Sequence, residues 1–144
     1  MSILEKPSFS LNLPEDFQVV ESDGLCCVCR QPPGVLHLTP QEVDDPKDLP
    51  NLSRMLAGFL TRSGHPVATD ELLRVTSVPH AHGFSWQYTE DGHYNRLWLF
   101  GNEFSWLLLH FVCLQEHYTG FHEKLTKAVQ SLRLRADDVG PGSH

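Results

Sequence analysis

Residues 84–113 read FSWQYTEDGHYNRLWLFGNEFSWLLLHFVC, a run of strand and turn signals. From Phe84 to Thr89, aromatic residues alternate with polar ones, the pattern of a half-buried strand. Asp91-Gly92 marks a two-residue hairpin turn, since both central residues of such a turn take positive φ. A second run spans His93 to Phe100, Gly101-Asn102 gives a second turn signal, and a third run spans Phe104 to Cys113. Consecutive runs joined by tight turns predict an antiparallel meander.

Two-residue loops also fix which side chains share a face. Asp91-Gly92 sets Glu90 opposite His93 and Trp86 opposite Leu97; Gly101-Asn102 sets Leu99 opposite Phe104 and Leu97 opposite Trp106. One face then carries Phe84, Trp86, Tyr88, Leu97, Trp106 and His110, and is expected to be covered, with both tryptophans in the core. The other carries Gln87, Tyr94, Trp98, Leu107 and Phe111, is polar at one end, and is expected to be covered in part.

Leu72 to Val78 reads as a strand before the meander. Phe9, Leu11 and Leu13 alternate and stop at Pro14. Phe17 to Val20, Leu25 to Arg30 and Val35 to Leu38 are short strands between turn signals, and Thr39 to Pro50 is loop. Leu52, Met55, Leu56, Phe59 and Leu60 form one stripe of an amphipathic helix, ended by Gly64-His65-Pro66. Tyr118, Phe121, Leu125, Ala128, Val129 and Leu132 trace a second. The expected fold class is α+β: a mainly antiparallel sheet of about six strands packed with two amphipathic helices, one on each face or both on one. Residues 9–134 form a single domain, with an N-terminal arm over 1–8 and a disordered tail over 135–144.

The chain has 144 residues, enough for one domain with a core of its own. Its formal charge of −7, without a basic patch, argues against nucleic acid as a partner. It also favours a basic or apolar partner segment over an anionic one. No apolar run is long enough to span a bilayer, and Met1 to Pro7 carries no signal-peptide pattern. Cys26, Cys27 and Cys29 sit in one strand with only Cys113 elsewhere, a poor disulfide framework; reduced thiols in a cytoplasm are expected.

The pattern resembles the PsbP-like fold superfamily. The resemblance rests on FSLNLPEDFQVV (9–20), the helix around Leu52 to Leu60, the stretch 84–113, and the closing AVQSLRL (128–134). That superfamily includes the photosystem accessory protein PsbP, a Ran-binding nuclear-transport adaptor, DcrB-type bacterial proteins and Eag-type chaperones of type VI secretion effectors. The resemblance implies a sandwich of antiparallel sheet and helices and a non-catalytic role, and it transfers no functional residue.

Chemistry-bearing clusters are few. Cys26 and Cys29 have CxxC spacing but open no helix that would acidify a thiol, and the chain offers no second CxxC to complete a structural zinc site. His80 and His82 would share a side of an extended chain and bind a metal if His93 or His110 supplied a third ligand. There is no nucleophile elbow, phosphate loop or dinucleotide fingerprint. The expected function is thus a non-enzymatic protein-binding module without cofactor: a bacterial accessory factor, adaptor or secretion chaperone. Its partner is expected to be another protein or an apolar peptide segment, with Tyr88, Tyr94, Trp98 and His110 as candidate partner surface. A metal-binding protein or metalloenzyme using His80 and His82 is the alternative, and a toxin-neutralising immunity protein a further one.

Overall fold

In the computed structural model, residues 2–14, 17–23, 26–31, 34–42 and 51–135 are described, with the side chains of 2, 21–23, 26–31 and 42 excepted. Among them, two antiparallel sheets and two helices form an α+β sandwich. The smaller sheet holds β1 (Ser2–Lys6), β2 (Phe9–Leu13) and β10 (Arg133–Leu134), in the order β1-β2-β10. The larger sheet holds β3 (Gln18–Asp23), β4 (Cys26–Gln31), β5 (Gly34–Glu42), β6 (Leu73–Val75), β7 (His82–Glu90), β8 (His93–Gly101) and β9 (Ser105–Leu114). Its order is β3-β4-β5-β9-β8-β7-β6. Helix α1 spans Leu52–Arg62 and α2 spans Tyr118–Gln130.

The meander forms as its turn residues dictate. Asp91 and Gly92 take φ of 52° and 76°, and Glu90 pairs with His93, Trp86 with Leu97 and Phe84 with Leu99. The second turn differs from the expected two-residue loop. Leu99 pairs with Leu108 and Leu97 with His110, so residues 102–105 make a four-residue loop. Asn102 is the reason: its side-chain Oδ1 accepts from the backbone N–H of Phe104 (2.8 Å) and Ser105 (3.0 Å), building a wider turn. The slide along β9 is four residues, an even number, so every side chain keeps its expected face.

What changes is how the faces are covered. The face carrying Trp98, Phe100, Leu107, Leu109 and Phe111 is the main core. It packs on β2 through Phe9, Leu11 and Leu13 and on α2 through Phe121, Leu125 and Val129. The other face is covered over part of its width by α1, whose Leu56 and Leu60 are buried against Leu97 and Leu99. Trp86 and Trp106, expected in the core, are half-buried beside α1, since an eleven-residue helix cannot shield the whole face. The two helices therefore lie on opposite faces.

Several boundaries also move. The expected arm is structured over its described residues, for Ser2–Lys6 pairs with β2, which β10 flanks on its other side. Strand β5 continues through Thr39 to Glu42, where loop was expected, because it pairs with β9 along its length. The strand expected over Leu72 to Val78 shrinks to three residues at the sheet edge. The larger sheet has seven described strands, close to the six or so expected of it, and the three-stranded sheet is additional. The sequence from 136 onward, expected as tail, lies outside the described residues.

Helix α1 is fixed at both ends by local chemistry. Asn51 caps its N-terminus, the side chain accepting from the N–H of Arg54. Gly64, at φ 89°, turns the chain out so that the N–H of His65 bonds the carbonyl of Leu60 at 2.8 Å. His65 then stacks on Tyr88 with ring centroids 3.7 Å apart and bonds Glu90 at 3.0 Å, fastening the helix end to β7.

Candidate functional site

Among the described residues, a hollow lies where α1 leaves the sheet partly uncovered. A groove of about 220 Å³ runs between the helix and strands β8 and β9. Its floor is Leu99, Trp106 and Leu108, and its wall is Met55 and Phe59. Leu56 also lines it, and Arg54, Gly58 and Arg62 add one row of the helix, at i, i+4 and i+8. Both arginines are exposed, and among the described residues neither has a carboxylate within ion-pair distance. No carboxylate, imidazole or thiol belongs to the lining. The groove can therefore hold apolar groups and draw anions to its rim. The chain's net charge is negative, whereas the helix row that borders this groove is basic.

The sequence-derived candidate surface is not assembled. Tyr94 and Trp98 are core residues, 5% and 2% exposed. The Tyr94 hydroxyl donates to Gln87 Oε1 at 2.6 Å and the ring lies 3.8 Å from that of Tyr118. Burial, followed by its hydrogen bond with Tyr118, pushes the Tyr94 hydroxyl well above its ordinary pKa. Trp98 carries the Arg96 guanidinium 4.7 Å from its ring. Both point to the α2 side, which the small sheet and α2 together seal. Tyr88 is on the α1 side, but His65 occupies its ring; burial and then Glu90 raise its pKa. His110 sits at the margin of α1 with Phe59 edge-on, and donates from Nε2 to Asn95 Oδ1 at 2.9 Å. Burial, followed by the neighbouring His37, lowers its pKa to about 4.

The histidine pair fares no better. His80 stands in a turn at φ 59°, so the extended geometry that would align it with His82 is broken. His82 opens β7 opposite Gly101, whereas His110 lies opposite Leu97, four residues along β8. That is about 13 Å at strand rise, and His93 is at the far end of the hairpin. Metal bonds of about 2 Å do not bridge such separations. Among the described residues no three potential ligands gather. Cys113 is buried and its thiol pKa is raised by that burial, an inert setting. Cys26, Cys27 and Cys29 lie on β4 as expected, but their side chains are outside the described residues. Among the described residues, no helix is long and apolar enough to cross a membrane.

The sequence allows part of a sheet face to remain as a groove for an apolar segment, but the groove's place and lining are not legible there, because helix–sheet packing makes them. Its one local trace was Gly58, a glycine inside a helix with strong helix formers around it.

No protein-family model and no curated protein sequence matches the chain. Solved structures do match its fold. One is a crystal structure from Bacteroides thetaiotaomicron, at TM-score 0.59 and 14% identity, covering 90% of this chain and 46% of that one. This chain thus spans about half the length of that protein. A second is LpqN, involved in cell envelope biogenesis of Mycobacterium tuberculosis, at TM-score 0.56 and 13% identity, covering 94% and 90% of the two chains. A third is cyanobacterial PsbP (CyanoP) from Synechocystis, at TM-score 0.50 and 9% identity, covering 93% and 92%. The fold is PsbP-like, as the sequence pattern implied, and at these identities the likeness is one of fold alone.

Proposed function

We propose that the protein is a non-enzymatic binding module, an accessory factor or adaptor that works by associating with another protein. The observation that carries this reading is the groove between α1 and the sheet. Its volume of about 220 Å³ is below the range of roughly 300–1,000 Å³ usual for small-molecule sites. It suits one or two side chains of a partner segment rather than a whole substrate. Its lining offers apolar contact and guanidinium donors, and no group that would serve as nucleophile or general base. The proteins that share the fold include one involved in cell envelope biogenesis and a PsbP, which supports an accessory role for this chain too. A bacterial adaptor or secretion chaperone is the finer form of the proposal. We further propose a cytoplasmic setting, on the cysteine content of the sequence.

Affinity purification from the native host tests this. Wild-type protein is expected to retain a partner in stoichiometric amount, and Met55→Gln, which places an amide in the groove wall, is expected to lose it with little change in melting temperature. Retention unchanged in Met55→Gln would sink the reading.

A further inference from the structure

We propose that the groove receives an extended acidic–apolar segment of the partner, with two carboxylates four residues apart and an apolar side chain midway between them. This rests on the reading of the groove as a docking site and adds the chemistry of its occupant.

The spacing follows from the helix. Arg54 and Arg62 are eight residues apart on α1, about 12 Å at helical rise. Gly58 falls halfway between them on the same row and lines the groove. An extended segment covers about 13 Å in four residues, and its residues i, i+2 and i+4 project to one side. Laid along α1, such a segment brings carboxylates i and i+4 to the two guanidiniums. The side chain at i+2 then descends where the helix has none, onto the floor of Leu99, Trp106 and Leu108.

Gly58 gives independent support. It has an ordinary helical backbone, and a Cβ built there would meet only the Arg62 guanidinium, at 3.5 Å. Neither strain nor crowding calls for glycine at this position, and glycine costs helix stability relative to alanine. What its absent side chain does provide is open space in the groove.

Other occupants fit less well. A helix is about 10–12 Å across with its side chains, too wide for a groove of this size. A second copy of this chain docked symmetrically would set like-charged arginine rows against each other, which a self-complementary interface avoids.

The test uses a fluorescein-labelled peptide, Gly-Ser-Glu-Ser-Leu-Ser-Glu-Ser-Gly, titrated with the full chain and read by anisotropy. Saturable binding is expected, weakening as salt rises. Arg54→Gln and Arg62→Gln should each weaken it about two- to fivefold, as exposed ion pairs do. The peptide with both Glu replaced by Gln should lose as much as the double arginine variant. Gly58→Leu should cost at least tenfold while leaving the melting temperature unchanged or higher. No binding, or binding indifferent to the arginines and to salt, overturns the proposal. The two readings separate on the native partner. If Gly58→Leu releases that partner but the double Arg54→Gln/Arg62→Gln variant holds it as tightly as wild type, the acidic chemistry is wrong and the docking site stands. If Gly58→Leu still holds the partner, both fail. A wild-type dimer by light scattering that Gly58→Leu dissociates would assign the groove to a second copy and overturn the proposal as well.

Discussion

His110 donates a 2.9 Å hydrogen bond from Nε2 to Asn95 Oδ1 across β8 and β9, which places the proton of the neutral ring on Nε2. Burial is the larger reason that the ring resists a second proton, and His37 directly opposite on β5 is the smaller. The folded-state pKa of about 4 lies below the unfolded value of 6.5.

The unfolded chain therefore binds the proton first as pH falls. Stability from this group is fully present above about pH 6.5 and is lost progressively down to about pH 4, some 3 kcal/mol in all. Urea titrations of wild type and His110→Gln, whose amide can still donate to Asn95, are expected to diverge in slope across that window. Parallel pH profiles would show that His110 titrates normally in the fold.

Trp98 and Trp86 occupy opposite faces of the large sheet and should answer differently to truncation. Trp98 is 2% exposed in the main core, so Trp98→Ala is expected to cost about 3–5 kcal/mol. Trp86 is half-buried beside α1, and Trp86→Ala should cost roughly half as much. Equal losses in denaturant titrations would mean that α1 seals its face as completely as α2 and the small sheet seal theirs.

Asn102 supports the turn between β8 and β9 through its two backbone acceptor bonds. Asn102→Ala leaves the N–H groups of Phe104 and Ser105 without that acceptor and should lower stability by about 1–2 kcal/mol. A two-residue turn at Gly101-Asn102 would not need this side chain. An Asn102→Ala protein as stable as wild type would therefore argue for the shorter turn and its register.

This turn also shows where the sequence was legible. Strand parity survived an incorrect turn length because the loop grew from two residues to four, an even change, so Trp98 still shares a face with Leu107 and Phe111, and Leu97 with Leu108 and His110. The C-terminal end of α1 was legible because Gly64 acts through its own backbone, whereas the Asn51 cap at the other end was not read. The pairing of Ser2–Lys6 with β2 was not, since nothing in SILEK says which strand it will meet. Nor was the burial of Tyr94 and Trp98, which depends on the small sheet and α2 arriving together over one face. The groove belongs to this second kind. Arg54, Gly58 and Arg62 become a row bordering a hollow only once α1 has docked off-centre on the sheet.

Gly58 is where fold and proposed docking make opposite demands. Within a helix, glycine loses more backbone entropy on folding than alanine, and the difference is about 0.5–1 kcal/mol. A Cβ at Gly58 meets the far end of the flexible Arg62 side chain at ordinary contact distance, so no steric cost offsets the gain. Gly58→Ala is therefore expected to raise stability by about 0.5–1 kcal/mol in denaturant titration and to leave the circular-dichroism spectrum unchanged. A loss of stability instead would show that the helix needs glycine for packing, and would remove the argument that this position is kept open for a partner.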